Sequence, residues 1–463
     1  MKERKEDSYG EGDASSNSLD SAIAHDAVFG DITSEGPNYR SVGWLGTSVL
    51  MMKTQIGLGV LSIPSVFDTL GMVPGVVLLC VIGGITTWSD FMVGTFKLRH
   101  PQVYGIDDAG ELMFGWVGRE VLGAAFCLLF TFTSGSAMLS ISIALNALSA
   151  HATCTAVFVA VAAVVGFGFS SLRTLGRISG LAWVGVTSIV VAVLTVTIAV
   201  SLQDRPAAAP QDAVWKSDFK IVNTPTFAQA ISAISSLVFS YAGTPAFFSI
   251  AAEMREPRHY TRSLVLCQSV VTVVYVAVGV VVYYYCGSYV SSPALGSAGP
   301  TVEKVAYGLA LPGLIVSAAV MLHLASKHIF VRILRGSKHL AANTLVHWST
   351  WLGCTFTISL VAYLIASGIP VFNSLISLIG ALLGTMISFQ PMGCMWLYDN
   401  WSKGRQAPTL RWYLMVVWSC FVIASGTFLT IAGTYSAIVG IIDDYSRSGG
   451  SAAWSCADNS NSA

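Results

Sequence analysis

A chain of 463 residues that is 54% hydrophobic and 11% charged is not a soluble globular protein, because soluble domains carry about 25% charged residues. It reads instead as an all-α polytopic membrane protein. The formal net charge of zero says little about partners, and what matters is where the charges fall.

Residues 1–42 are polar, acidic and rich in Ser, Gly and Asp, and read as a disordered cytoplasmic tail. The tail has no apolar region of a cleavable signal, so the first span must direct insertion. Eleven apolar stretches follow, centred near residues 57, 84, 134, 162, 190, 240, 275, 317, 357, 385 and 425. If the N-terminus is cytoplasmic, 19 of the 25 basic residues fall in the tail or the inside loops, among them Lys97, Arg99, Arg119, Arg173, Arg177, Arg255, Arg335 and Lys338. Five fall outside (Arg205, Lys216, Lys220, Lys304 and Arg447), and Lys53 alone is left in the membrane. That bias predicts a cytoplasmic N-terminus and an extracytoplasmic C-terminus. The sequon at Asn400-Trp401-Ser402 then lies inside and is silent.

The first span is broken at Lys53-Thr54-Gln55-Ile56-Gly57-Leu58-Gly59-Val60-Leu61-Ser62-Ile63-Pro64. Glycine and proline cost about 1 and 3 kcal/mol in a helix, and non-helical backbone at membrane depth is tolerated only where it lines protein or a cavity. Lys53 lies about nine residues into the span, roughly 14 Å at 1.5 Å per residue, which is long for snorkelling. The sixth span breaks at Ser240-Tyr241-Ala242-Gly243-Thr244-Pro245. Breaks in spans one and six predict an inverted five-plus-five repeat with a site between the repeats. Free N–H groups suit a carboxylate and free carbonyls an ammonium, so a zwitterionic amino acid matches the two ends.

These two motifs, the Gly71-Met72-Val73-Pro74-Gly75 turn, Glu253-Met254 with Pro257, and Asn373-Ser374-Leu375 leading into Leu378-Ile379-Gly380-Ala381 resemble the amino acid/auxin permease family. The first-span motif is most similar to the fungal neutral amino acid permeases, and the resemblance covers roughly residues 40–440. It implies a LeuT-type fold, an inverted repeat plus an eleventh helix, and secondary active uptake of amino acids. The expected division is 43–204 for the first repeat, 205–398 for the second, 399–440 for the eleventh span and 441–463 for an extracytoplasmic tail.

Carried over by the motif match, Gly57, Leu58 and Gly59 receive the substrate carboxylate, and Ser240, Tyr241, Ala242 and Gly243 its amine. Thr131, Thr133, Ser134 and Ser136 lie near the middle of span three, and Ser134 is the candidate for lining the pocket. No carboxylate is expected at mid-membrane: Asp68 is read towards the outer surface and Asp90 at the cytoplasmic interface, two turns before Lys97. Glu253 reads as closing an inner gate or capping a helix. Neutral substrates follow, since a cationic side chain would be unpaired. Sodium-coupled members of the family carry an asparagine four residues before the first glycine, where this chain has Lys53. The Lys53 ammonium is therefore expected to replace sodium, either as a proton-loading group with His323 as relay or as a permanently charged strut. Both versions imply sodium-independent transport, with protons as the coupling ion. His323 is open to a second reading as a hydrogen-bonded core residue.

No cofactor, metal or nucleic-acid partner is expected. The nine cysteines form no CxxC or Cys/His cluster, and no catalytic set sits at membrane depth, so the chain is not read as an enzyme. Cys154, Cys286 and Cys456 could face outside, and a Cys154–Cys286 bridge is left open. A plasma-membrane permease leads; a vacuolar exporter and an amino acid sensor without net transport are the alternatives.

Overall fold

The computed structural model describes residues 24–26, 30–32, 40–172, 175–206, 209–210, 215–337, 339–340, 343–369, 372–447, 454 and 456–460. The basic positions Lys2, Arg4, Lys5, Arg173 and Lys338, and the side chain of Arg177, lie outside the described residues. Within the expected disordered tail, β1 (Ala24–Asp26) and β2 (Gly30–Ile32) pair antiparallel.

The remaining elements among the described residues are helices. A bent pair, α1 (Trp44–Gln55) and α2 (Gly59–Leu70), is followed by α3 (Met72–Arg99), α4 (Ile106–Ser149), α5 (Thr155–Ser170) and α6 (Leu175–Leu202). A second interrupted segment, α7 (Phe227–Ser240) and α8 (Thr244–Ala252), leads into α9 (Tyr260–Cys286), α10 (Pro300–Leu334) and α11 (Leu345–Gly368). The tenth segment is broken into α12 (Phe372–Leu378), a π-helical turn over Ile379–Gly384, α13 (Thr385–Ser388) and α14 (Gln390–Gln406), and α15 (Leu410–Arg447) ends the bundle. Among the described residues, nine helices are long and apolar enough to cross a membrane, or ten with the bent pair as one span. Each of the eleven expected segments is helical, but α5, at 16 residues, is shorter than a span-length helix.

Gly115, at φ 67°, kinks α4 and folds its first turns back, with Gly110 and Gly118 in close contact. α10 packs against α4 and α6 at the centre, and α15 lies at the periphery on α7 and α14. Val417, Phe421, Phe428 and Ile431 of α15 are exposed, as a lipid-facing surface requires.

The two ends of the bundle differ. At one end, basic residues are tied to acids from other helices: Lys327 to Glu253, Arg335 to Asp108, Arg99 to Asp399 and Arg332 to Glu120. Here Val42 bridges to Met254, with the Val42 N–H donating to Glu253 O at 3.2 Å and the Arg255 N–H to Val42 O at 2.9 Å. At the other end, the N–H groups of Met72 and Val73 donate to the carbonyls of Lys220 and Ile221. There Cys154 is bonded to Cys456, not to Cys286. Cys286 is buried at the foot of α9, its Sγ 4.0 Å from Ser297 O, whereas the tail brings Cys456 over the start of α5. Trp454 N–H reaches Ser367 O at 3.2 Å, Thr155 Oγ1 donates to Ala457 O at 2.6 Å, and Asn146 Nδ2 donates to Asn459 Oδ1 at 2.7 Å.

Candidate functional site

The two breaks meet each other. The first bends its span by 46°; Ile56 leaves the helical region at φ −72°, ψ 92°, and α2 starts at Leu58 without a side-chain cap. Of its leading N–H groups, Leu61 donates to Leu58 O at 3.2 Å, while those of Gly59 and Val60 donate to no backbone carbonyl among the described residues. A Cβ on Gly59 would stand 2.6 Å from Ser240 Cα, and Ser240 Oγ donates to Gly59 O at 3.2 Å. A Cβ on Gly243 would stand 2.5 Å from Thr54 Oγ1, and one on Gly57 2.9 Å from Ser317 Oγ of α10. Only glycine lets three spans approach this closely at one level.

Between them is a cavity of about 20 Å3, bounded by Lys53, Gly57, Thr133, Phe239, Ala242 and Ser317, with Phe130 and Met321 completing its apolar wall. That is room for about one water, so a substrate enters only when the spans part.

The carbonyls of the second break are less free than the motif implies. The Tyr275 hydroxyl donates to Ser240 O at 2.8 Å, Gly243 N–H to Tyr241 O at 2.7 Å, and Ala246 N–H to Gly243 O at 3.0 Å. Of the four, Ala242 O alone accepts no such bond among the described residues, and Ala242 borders the cavity. Tyr241 turns away, its ring against Tyr275 and its hydroxyl 3.2 Å from Thr272 Oγ1.

Lys53 is fully buried. Its Nζ lies 3.4 Å from Ile56 O, and its stem runs through a slot opened by Gly185 of α6 beside Val316 of α10. Among the described residues no carboxylate pairs with it. His323 is not brought to Lys53: its Nδ1 lies 3.4 Å from Ser170 O and its ring is edge-on to Trp351 at 5.1 Å. Ser134 donates to Phe130 O of its own helix at 2.7 Å and does not border the cavity; the neighbouring Thr133 does. Glu253 is buried against Lys327, not Arg255, and so joins the end of span six to α10.

Asp90 departs from its expected place at the interface. It is fully buried, with Gln268 Nε2 donating to its Oδ2 at 2.5 Å and the Tyr260 hydroxyl donating to its backbone carbonyl at 2.8 Å. Gly94 lets Tyr260 lie flat on α3, so α9 covers what spacing along α3 alone leaves open. Tyr275 and Ser317 were not singled out from the sequence, since one polar residue in an apolar helix carries no signal of where it faces.

Residues 40–439 match the family described as transmembrane amino acid transporter protein. A transmembrane transporter of Gibberella moniliformis is 33% identical over 430 residues, 92% of this chain and 90% of that protein. The N amino acid transport system protein of Neurospora crassa is 32% identical over 426 residues, 90% of this chain and 89% of that protein. Among solved structures, a sodium-coupled sialic acid symporter in a substrate-bound outward-open state is similar with a TM-score of 0.55 at 12% identity, covering 88% of this chain and 92% of that one. A nucleobase-cation-symport-1 family transporter in a closed conformation is similar with a TM-score of 0.57 at 12% identity, covering 89% and 94%. These likenesses show the fold, which is of LeuT type.

Proposed function

The chain belongs to the transmembrane amino acid transporter family, and from that premise we propose that it takes up neutral L-amino acids by alternating access, driven by protons and independent of sodium. The observation that carries this reading is the cavity between the two breaks. It has the N-terminus of α2 on one side, Ala242 of the second break on the other, an apolar wall of Phe130, Phe239 and Met321, and no acid among the described residues that line it. The helix N-terminus suits the substrate carboxylate, the carbonyl its ammonium, and the wall an aliphatic or aromatic side chain. Lys53 stands beside the break as a built-in cation, which supports independence of sodium.

Competition in proteoliposomes tests the specificity. Leucine and phenylalanine are expected to suppress uptake of a labelled neutral amino acid, and lysine and glutamate to leave it unchanged. Inhibition by lysine or glutamate alone would refute the reading, as would uptake that needs sodium.

The two five-span repeats are proposed as 43–204 and 205–398, with the eleventh span outside them. The plasma membrane is the proposed location, with the basic end cytoplasmic. The bond between Cys154 and Cys456 supports this orientation, because disulfides persist on the oxidising side of a membrane. A single cysteine introduced after Asp444 is expected to react with an impermeant maleimide on intact cells. Reaction only after permeabilisation would reverse the assignment.

A further inference from the structure

We propose that Asp90 carries the coupling proton and that Thr244, at the start of α8, senses it. This rests on the proton-driven reading above and names the group that such a cycle needs.

Asp90 differs from three other buried acids of the bundle. Glu253 faces Lys327, Asp108 faces Arg335 and Asp107 faces His328. Among the described residues, Asp90 has no cation partner. One oxygen is held by Gln268, while Oδ1 is buried without a hydrogen bond. The Thr244 hydroxyl lies beside the same carboxyl and is likewise buried without a partner of normal geometry. Gln55, which borders the cavity next to Gly243, has both amide atoms buried and unpartnered. Unsatisfied polar groups thus stand on both sides of the second break, Gln55 at the cavity and Thr244 with Asp90 beyond it. Buried polar atoms are almost always satisfied, so these groups are suited to a mobile proton and its water.

Among the described residues, the surroundings add no competing charge. α9 faces Asp90 with Tyr260, Cys267 and Gln268, and α8 with Thr244. On α14, Asp399 is engaged by Arg99 and His100. α2 and α7 meet α3 towards its other end, where Phe67 lies against Gly75 and Tyr241 against Gly83. Three oxygens (Asp90 Oδ1, Thr244 Oγ1 and Gln268 Oε1) fall short of the roughly six that a hard cation takes. A proton needs one donor and one acceptor.

With the proton on Oδ1, the Asp90 hydroxyl donates to Thr244 Oγ1 and ties α8 to α3. Without it, Gln268 and the Thr244 hydroxyl can each donate to the carboxylate, but the negative charge is buried with no cation beside it among the described residues, and α8 must part from α3 to admit water. Loading therefore favours the closed arrangement, and release accompanies opening of the half-helix that carries Gly243.

The purified full-length protein in liposomes, with a pH dye inside, tests this. Wild type is expected to show substrate-dependent proton entry and about tenfold accumulation per unit of pH gradient for one proton. Asp90→Asn is expected to keep amino acid exchange and to lose both. Asp90→Asn with proton entry intact overturns the assignment while leaving the proton-driven reading in place. Wild type without proton entry overturns that reading itself. If Asp90→Asn does not fold, Gln268→Leu decides: loss of its N–H to the carboxylate is expected to move the pH midpoint of uptake up by about one unit. An unchanged midpoint overturns the proposal.

Discussion

Gly59→Ala is expected to reduce uptake to background. The added Cβ would stand 2.6 Å from the Cα and 2.9 Å from the Cβ of Ser240. The first of these is backbone and cannot swing aside, so the two broken spans must separate at the level where they form the cavity. Overpacking of this kind costs about 1–3 kcal/mol, and the misplacement falls on the groups that would hold the substrate. Gly84→Ala on α3 is the control: a Cβ there meets nothing within 4 Å, and helix propensity favours the change by about 1 kcal/mol. Uptake per mole of purified protein, with the melting temperature of each variant, separates the two. Equal uptake by both variants would show that the contact between the breaks has no part in transport.

The second large effect is expected at the buried pair that joins spans six and eight. Glu253→Ala leaves the Lys327 ammonium buried without its carboxylate, and removing one partner of such a pair costs about 3–5 kcal/mol. Lys327→Ala is expected to do the same. Replacing both, by Glu253→Met with Lys327→Leu, is expected to recover most of that stability, since apolar pairs of similar volume substitute well for buried ions. The double variant is expected to fold yet to close poorly at the basic end, where the Val42–Met254 bridge lies beside the pair. Thermal melts of the four proteins read the coupling. A double variant no more stable than either single one would mean that the two side chains do not act as a unit.

The breaks were legible in the sequence because glycine and proline in an apolar run are costly anywhere else. That placed Gly57, Gly59 and Gly243 at the breaks, while their close approach to Ser317, Ser240 and Thr54 appears only in the packing. What could not be read is rotation and cover. Thr133 and Ser134 are adjacent in sequence but about 100° apart around α4, and only the packing of α4 decides which borders the cavity. Spacing from Lys97 measures the depth of Asp90 along its own helix and is blind to Tyr260 and Gln268, which α9 lays over it. The Ser240 carbonyl of α7 is occupied by Tyr275 of α9, 35 residues on in the chain. His323 shares a helix with Ser317, yet faces Trp351 rather than the cavity. The partner of Cys154 depended on the path of a polar tail that carries no periodic signal.

That last bond alters the connectivity of the whole molecule. Cys154 and Cys456 are 302 residues apart in sequence, and every helix from α5 to α15 lies between them. The chain is therefore a covalent ring with a free arm, and the arm contains α1 to α4. Half of the candidate site, from α7, α8 and α10, belongs to the ring, and the other half, from α1, α2 and α4, to the arm. A protease that cuts a loop within the ring opens it without releasing a fragment, whereas a cut between α3 and α4 detaches the first break from everything it faces.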